Sequence, residues 1–178
     1  MNKTSRPEAP ARPSPEGPPG GSVVFLLSSL GVAASQGFRD ALAPLGLEPR
    51  QFGVLNLVAS AEGISQRELS EPLGIPASRL VAIVDGLEDQ GLVERRRNAE
   101  DRRAYALHLT AKGRQALGRA RGVSAENEQR FGAPLKPKER EQLLDLLRRL
   151  AAGHELQSGV HPGLAARDVD LALGRARR

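Results

Sequence analysis

The sequence predicts a mainly α chain of the α+β class, several amphipathic helices gathered around one small β ribbon. Three observations carry this. Apolar residues recur at three- and four-residue spacing in segments toward both ends of the chain. Between them, Ser65-Gln66-Arg67-Glu68 and then Gly74-Ile75-Pro76 spell two short helices joined by a tight turn, a helix-turn-helix. The stretch Leu92–Thr110 then reads as two short strands joined by a polar tip.

Taken in order, residues 1–21 hold six of the thirteen prolines and almost nothing large and apolar, so a disordered tail is expected there. Ser22 is the expected N-cap of a helix to about Ala43, with Leu26, Leu27, Leu30, Ala34, Phe38, Ala41 and Leu42 as its apolar stripe. Pro44 and Gly46 stop it. Pro49 opens a second helix to about Ser60, which buries Phe52, Val54, Leu55 and Val58. Ser65 and Glu68 form a capping box for a short helix carrying Leu69 and Leu73. Pro76 starts the next, to about Gln90, with Leu80, Ile83, Val84 and Leu87 inward and Gly91 as a left-handed terminator.

In the ribbon, Tyr105, Leu107 and Leu109 alternate toward the core and His108 points away. Thr110 caps a long helix to about Arg130, whose Gly113, Gly118 and Gly122 make it dependent on tertiary or intersubunit contacts. Pro137 opens a last helix to about Ala152, with Leu143, Leu144, Leu147 and Leu150 on one side and Leu146 broadening it. Residues 153–178 form a tail, with a short helix near Val169–Leu173.

The chemistry that composition excludes is as informative. With no cysteine there is no disulfide, thiolate metal site or thiol redox sensing. His108, His154 and His161 are too scattered for a metal site, so neither metal nor cofactor is expected. No Ser-His-Asp grouping, phosphate-binding glycine loop or carboxylate pair stands out, and an enzyme is not expected. No apolar run approaches the roughly 20 residues of a membrane span. No secretory leader is recognisable, so the expected location is cytoplasmic. The formal net charge of +5 is a weak pointer. More pointed is its placement: five arginines against two acids lie between Arg95 and Arg103, at the ribbon's tip. Guanidinium suits phosphate and base edges.

Three stretches carry a specific resemblance. They are Leu87-Glu88-Asp89-Gln90-Gly91-Leu92-Val93-Glu94-Arg95, then Asp101-Arg102-Arg103, then Leu107-His108-Leu109-Thr110-Ala111-Lys112-Gly113. At matching spacing they resemble the MarR-type winged-helix transcriptional regulators, over about Ser22 to Ala152. The resemblance implies a winged helix-turn-helix with a helical dimerisation region and a two- to three-stranded β-wing. Residues 22–46 and 111–152 would serve dimerisation, and 47–110 would bind DNA. It also implies a homodimer and, as in many members, a small-molecule pocket.

Under this resemblance the helix from Pro76 is the recognition helix in a DNA major groove. Ala77, Ser78, Arg79, Val81 and Ala82 then face double-stranded DNA. Arg79 either pairs with guanine O6 and N7 or binds only phosphate or water; Val81 and Ala82 suit thymine methyls. Many members carry a polar or basic residue where Ala82 stands, so specificity here leans on DNA shape. In the wing, Arg103 is the minor-groove probe and Asp101 the brace of the tip, while Arg95, Arg96, Arg97 and Arg102 divide between phosphate contacts and support. Ser65 and Gln66 are candidate phosphate donors, although capping alone accounts for Ser65. Phe38, Arg39 and Phe52 are candidate effector-pocket residues. Pro72, deep in a helix, is a departure that puts the presentation of the recognition helix in question.

The expected function is a homodimeric repressor on a pseudo-palindromic promoter site, released by a small-molecule effector. The alternative is an architectural chromosome-binding protein of low sequence specificity and no ligand. Activation in place of repression is left open.

Overall fold

The computed structural model describes residues 21–97 and 105–154. The two tails and the ribbon tip, with the expectations placed on Asp101, Arg102, Arg103 and the Val169–Leu173 helix, lie outside the described residues. Element order is α1 (Val23–Leu42), a 3-10 turn (Ala43–Leu45), α2 (Pro49–Ser60), α3 (Gln66–Leu73), α4 (Ala77–Asp89), β1 (Val93–Arg97), β2 (Tyr105–Leu109), α5 (Ala111–Phe131) and α6 (Pro137–Gly153). The described residues divide into two compact units, and the boundary, between Gln36 and Gly37, falls inside α1.

In the first unit, Ser22 begins α1. Its hydroxyl accepts the Phe25 N–H at 3.4 Å and its carbonyl the Leu26 N–H at 3.0 Å. Of the expected apolar stripe, Leu26, Leu27 and Leu30 are exposed, as are Val23, Val24, Phe25 and Val32 beside them, whereas Ala34, Phe38 and Ala41 are half-buried and Leu42 is buried.

The second unit holds the core. Val54, Leu55 and Val58 of α2, Leu69 and Leu73 of α3, Leu80, Val84 and Leu87 of α4, and Val93, Leu107 and Leu109 of the ribbon are buried together. Leu117 and Ala120 of α5 close it. Gly113 of α5 is also buried and Ala116 packs against the core, whereas nearly all of α6 lies outside: Leu143, Leu144, Leu146 and Leu150 are exposed, and only Leu147 of that seam is half-buried.

Helix ends follow local chemistry. The Glu48 N–H donates to Gln51 Oε1 at 3.0 Å ahead of Pro49, a capping arrangement the sequence reading passed over. Pro76 stands at the N-cap of α4 rather than inside its first turn, with ψ at 138°. At the far end Gly91 takes φ 67°, and the Gly91 and Leu92 N–H groups close onto the Glu88 and Leu87 carbonyls at 2.8 and 2.9 Å. This double closure is a Schellman motif.

The strands pair antiparallel from Val93↔Leu109 to Arg97↔Tyr105. On the other edge of β2, Ser65 bridges Ala106, the Gly63 N–H donates to Leu107 O at 3.0 Å, and the Leu107 N–H donates to Ile64 O at 2.9 Å. This minimal third strand ties the start of α3 to the ribbon.

Tyr105 corrects one expectation. It is 51 % exposed, because the ribbon at that register has already passed beyond the core that covers Leu107 and Leu109. His108, expected to be exposed, is half-buried, with Cε1 at 3.7 Å from where a Cβ on Gly63 would lie. Pro72 does not break α3; it sits exposed in the last turn, and Gly74 at φ 59° ends the helix just beyond.

Candidate nucleic-acid interface

The interface is built on α3, α4 and the ribbon. At the head of α3 the Ser65 N–H and hydroxyl donate to Glu68 Oε2 at 2.8 and 2.7 Å. The Glu68 N–H donates back to Ser65 Oγ at 3.3 Å, so the box is closed in both directions. The Ser65 backbone and side-chain donors hold the Glu68 carboxyl below its ordinary value, against a smaller opposing effect of burial. Ser65 is thus engaged in capping, the plainer of its two readings. Between α3 and α4, the Ser70 hydroxyl donates to Ile75 O at 2.7 Å and fixes the turn beside Pro72.

The α4 helix divides as its spacing demands. Leu80, Val84 and Leu87 are buried and Ile83 half-buried, while Ala77, Ser78, Val81 and Ala82 are exposed. Arg79 is half-buried at the edge of that outer face. An open groove between the two helices is lined by Gln66, Arg67, Ser70, Ala77 and Val81. Gln66 contributes a buried Nε2 with no hydrogen-bond partner among the described residues.

In the ribbon, Arg96 and Arg97 are exposed, Arg96 in an ion pair with Glu94. Arg95 is placed differently. Grouped by sequence with the DNA-contacting arginines, it turns onto α4 and pairs with both Asp85 and Glu88. Burial opposes its charge, but the hydrogen bonds and charges of the two carboxylates outweigh this and raise its pKa further. These pairs hold the Arg95 guanidinium against α4. Asp85 and Glu88 were missed because their partner depends on the path of the chain after Gly91; their i, i+3 spacing on one helix face was the available signal.

Thr110 caps α5 as expected, but its tie back to the turn after α4 was missed. The Thr110 hydroxyl donates to Gly91 O at 2.7 Å and accepts from the Gly113 N–H at 2.9 Å. Lys112 Nζ donates to Gln90 O at 2.7 Å, a cation on the carbonyl end of α4. Elsewhere, Phe38 and Phe52 meet edge to face with centroids 5.6 Å apart, while Arg39 lies exposed. Among the described residues no helix is long and apolar enough to cross a membrane.

Residues 45–104 match a family model described as MarR family. A Thauera aromatica protein assigned as transcriptional regulator of the hcr operon is 36 % identical over 131 residues, 73 % of this chain and 79 % of its own length. The fold matches the transcriptional repressor CouR, solved bound to a 23-mer DNA duplex, at 35 % identity and TM-score 0.67. That match covers 74 % of this chain and 94 % of CouR. It also matches a Mycobacterium tuberculosis MarR-family protein solved with p-aminosalicylic acid, at 26 % identity and TM-score 0.59, over 74 % of this chain and 99 % of the other. The chain is therefore a DNA-binding winged-helix transcriptional regulator, not an enzyme, and it belongs to the MarR family.

Proposed function

We propose that the protein is a cytoplasmic, homodimeric repressor that covers a pseudo-palindromic promoter site and is released by a small-molecule effector. The observation that carries the reading is the split of α4. Its inner residues are fixed in the core, while Ala77, Ser78, Val81 and Ala82 form an open face with Arg79 at its edge. That face suits a major groove, with the arginine ribbon reaching the flanking backbone and minor groove. In this reading Arg96, Arg97 and Arg102 meet phosphate, Arg103 probes the minor groove braced by Asp101, and Gln66 is a further donor to phosphate.

Dimerisation through residues 22–46 and 111–152 is supported by the uncovered apolar rows of α1 and α6, each too continuous to be left in water. Two copies would set their recognition helices about 34–36 Å apart, one turn of DNA. A ligand releases the protein if it prefers a dimer in which that spacing is lost. Phe38, Arg39 and Phe52 are the proposed pocket residues. The complex of the M. tuberculosis relative makes p-aminosalicylic acid the first probe.

The test is fluorescence anisotropy on the promoter upstream of the protein's own gene and on a scrambled duplex, across a salt series. The promoter should be bound at least roughly a thousandfold more tightly than the scramble. Arg103→Ala should weaken binding and flatten the salt slope by about one unit. Equal affinity for both duplexes would instead establish the architectural alternative. That alternative draws on one observation, the small and apolar Ala77, Val81 and Ala82 on the reading face.

A further inference from the structure

Arg95 lies where the wing leaves the body of the protein. Its guanidinium spans two carboxylates of α4, Asp85 and Glu88, and its backbone N–H donates to Glu88 Oε1 at 3.3 Å. The arginine side chain is only 19 % exposed, whereas those of Asp85 and Glu88 are 52 % and 39 % exposed. The cation is thus withdrawn from solvent and the acids remain at the surface. Asp85 also continues the exposed row of Ser78, Val81 and Ala82, at the seven-, four- and three-residue steps that keep one helix face.

A negative charge on a face that meets DNA repels phosphate unless it is neutralised. A two-stranded ribbon is also weakly constrained by its own pairing. One planar fork answers both needs, because it can hold two carboxylates in fixed geometry where an ammonium acts as a point charge.

We propose that Arg95 is a positioning residue that clasps the base of the wing to the recognition helix, so that ribbon and α4 address one duplex as a rigid pair, and that it makes no contact with DNA. The proposal rests on the DNA-binding reading above. It assigns Asp85 and Glu88 a role in binding even though both are acidic, and so sets the clasp apart from an ordinary phosphate contact.

The experiment compares Arg95→Ala with the double variant Asp85→Asn/Glu88→Gln on the promoter duplex, over the same salt series. The clasp predicts roughly tenfold weaker binding for the first, with the salt slope of the wild type, since no phosphate contact is lost. It predicts that the double variant gains no affinity, although two negative charges have been removed. An arginine that met phosphate would give the opposite pair of results: a slope reduced by about one unit in Arg95→Ala, and tighter binding once its partners are neutral. Either result overturns the proposal.

Charge reversal supplies the rescue. Arg95→Glu should lose binding, and adding Glu88→Arg should restore most of it. Amide exchange without DNA separates the clasp from the functional reading. The β1 amides of Arg95→Ala should exchange roughly fivefold faster at an unchanged melting temperature, a local opening rather than a global one. Unchanged exchange would defeat the clasp, while a wild-type protein that binds no DNA would defeat the functional reading alone.

Discussion

A Cβ placed on Gly113 would stand 1.9 Å from the carbonyl oxygen of Leu92. The first turn of α5 is therefore pressed onto the turn between α4 and β1, backbone to backbone, with no flexible side chain to give way. The Thr110 N–H donates to that same Leu92 oxygen at 3.1 Å. Gly113→Ala should cost about 3 kcal/mol, at the upper end for overpacking. That corresponds to a fall of roughly 6–12 °C in Tm for a chain of this size. Gly118 is the control, because nothing lies within 4 Å of its Cβ position. Gly118→Ala should raise stability by roughly 0.5–1 kcal/mol through helix propensity. Calorimetry of the two variants measures the contrast, and equal effects would show that space at Gly113 is not limiting.

Thr110 makes the same joint through its side chain. Thr110→Val keeps the shape but removes both the acceptor for the Gly113 N–H and the donor to Gly91 O. Loss of a cap and a part-buried hydrogen bond should cost about 1–2 kcal/mol. Thr110→Ser, which keeps the hydroxyl, should recover most of it in the same melts.

What was legible in the sequence was local. Ser65, Pro49, Gly91 and Thr110 announce helix ends because capping is decided within three or four residues. The α4 core positions follow from a period that does not depend on the rest of the fold. What was not legible depended on where distant segments return. Tyr105 shares the strand face of Leu107, but alternation does not say how far along the ribbon the core extends. Arg95 reads as one more arginine of the tip until α4 and β1 are seen side by side. The leucines of α1 and α6 were visible as apolar rows, whereas their exposure in a single chain was not.

Glu68 gives the capping box a dependence on pH. Its carboxyl is depressed below the ordinary 4.5 by donation from the Ser65 N–H and hydroxyl. The folded protein therefore holds the charged form more tightly than the unfolded chain does. Its contribution is complete above pH 4.5 and is lost as the pH falls through the folded value. Glu68→Gln can still cap but does not titrate. The Tm gap between wild type and Glu68→Gln should be widest near neutrality and close below pH 4.5. A gap independent of pH would mean that charge adds nothing to the box.

The exposed row of α6 predicts the assembly. Leu143→Asp combined with Leu150→Asp puts two carboxylates on one face, seven residues apart and away from the core of the single chain. Folding of each chain should survive in circular dichroism, while the dimer should weaken at least roughly a hundredfold, as for loss of a buried apolar anchor. Sedimentation would then show monomers at micromolar concentration, with promoter binding lost in parallel. An unchanged dimer would move the interface away from α6.

Arg79 and Arg96 should fail in different ways, and the difference tests the division of labour between helix and wing. Arg79 lies at the edge of the α4 face proposed to read bases, within the first turn, where a side chain reaches a groove edge. Arg96 is on β1, exposed and paired with Glu94, in a position to meet the backbone alone. Arg79→Ala should cost about 1–3 kcal/mol on the cognate promoter and much less on scrambled DNA, because a bidentate contact to guanine is lost only where guanine is present. Arg96→Ala should weaken both duplexes alike and lower the salt slope by about one unit. Anisotropy titrations on the two duplexes at three salt concentrations resolve the pair. If Arg79→Ala proves uniform across sequences while its salt slope falls, that arginine is a phosphate anchor, and discrimination must come from Ser78, the apolar contacts of Val81 and Ala82, and the shape of the DNA.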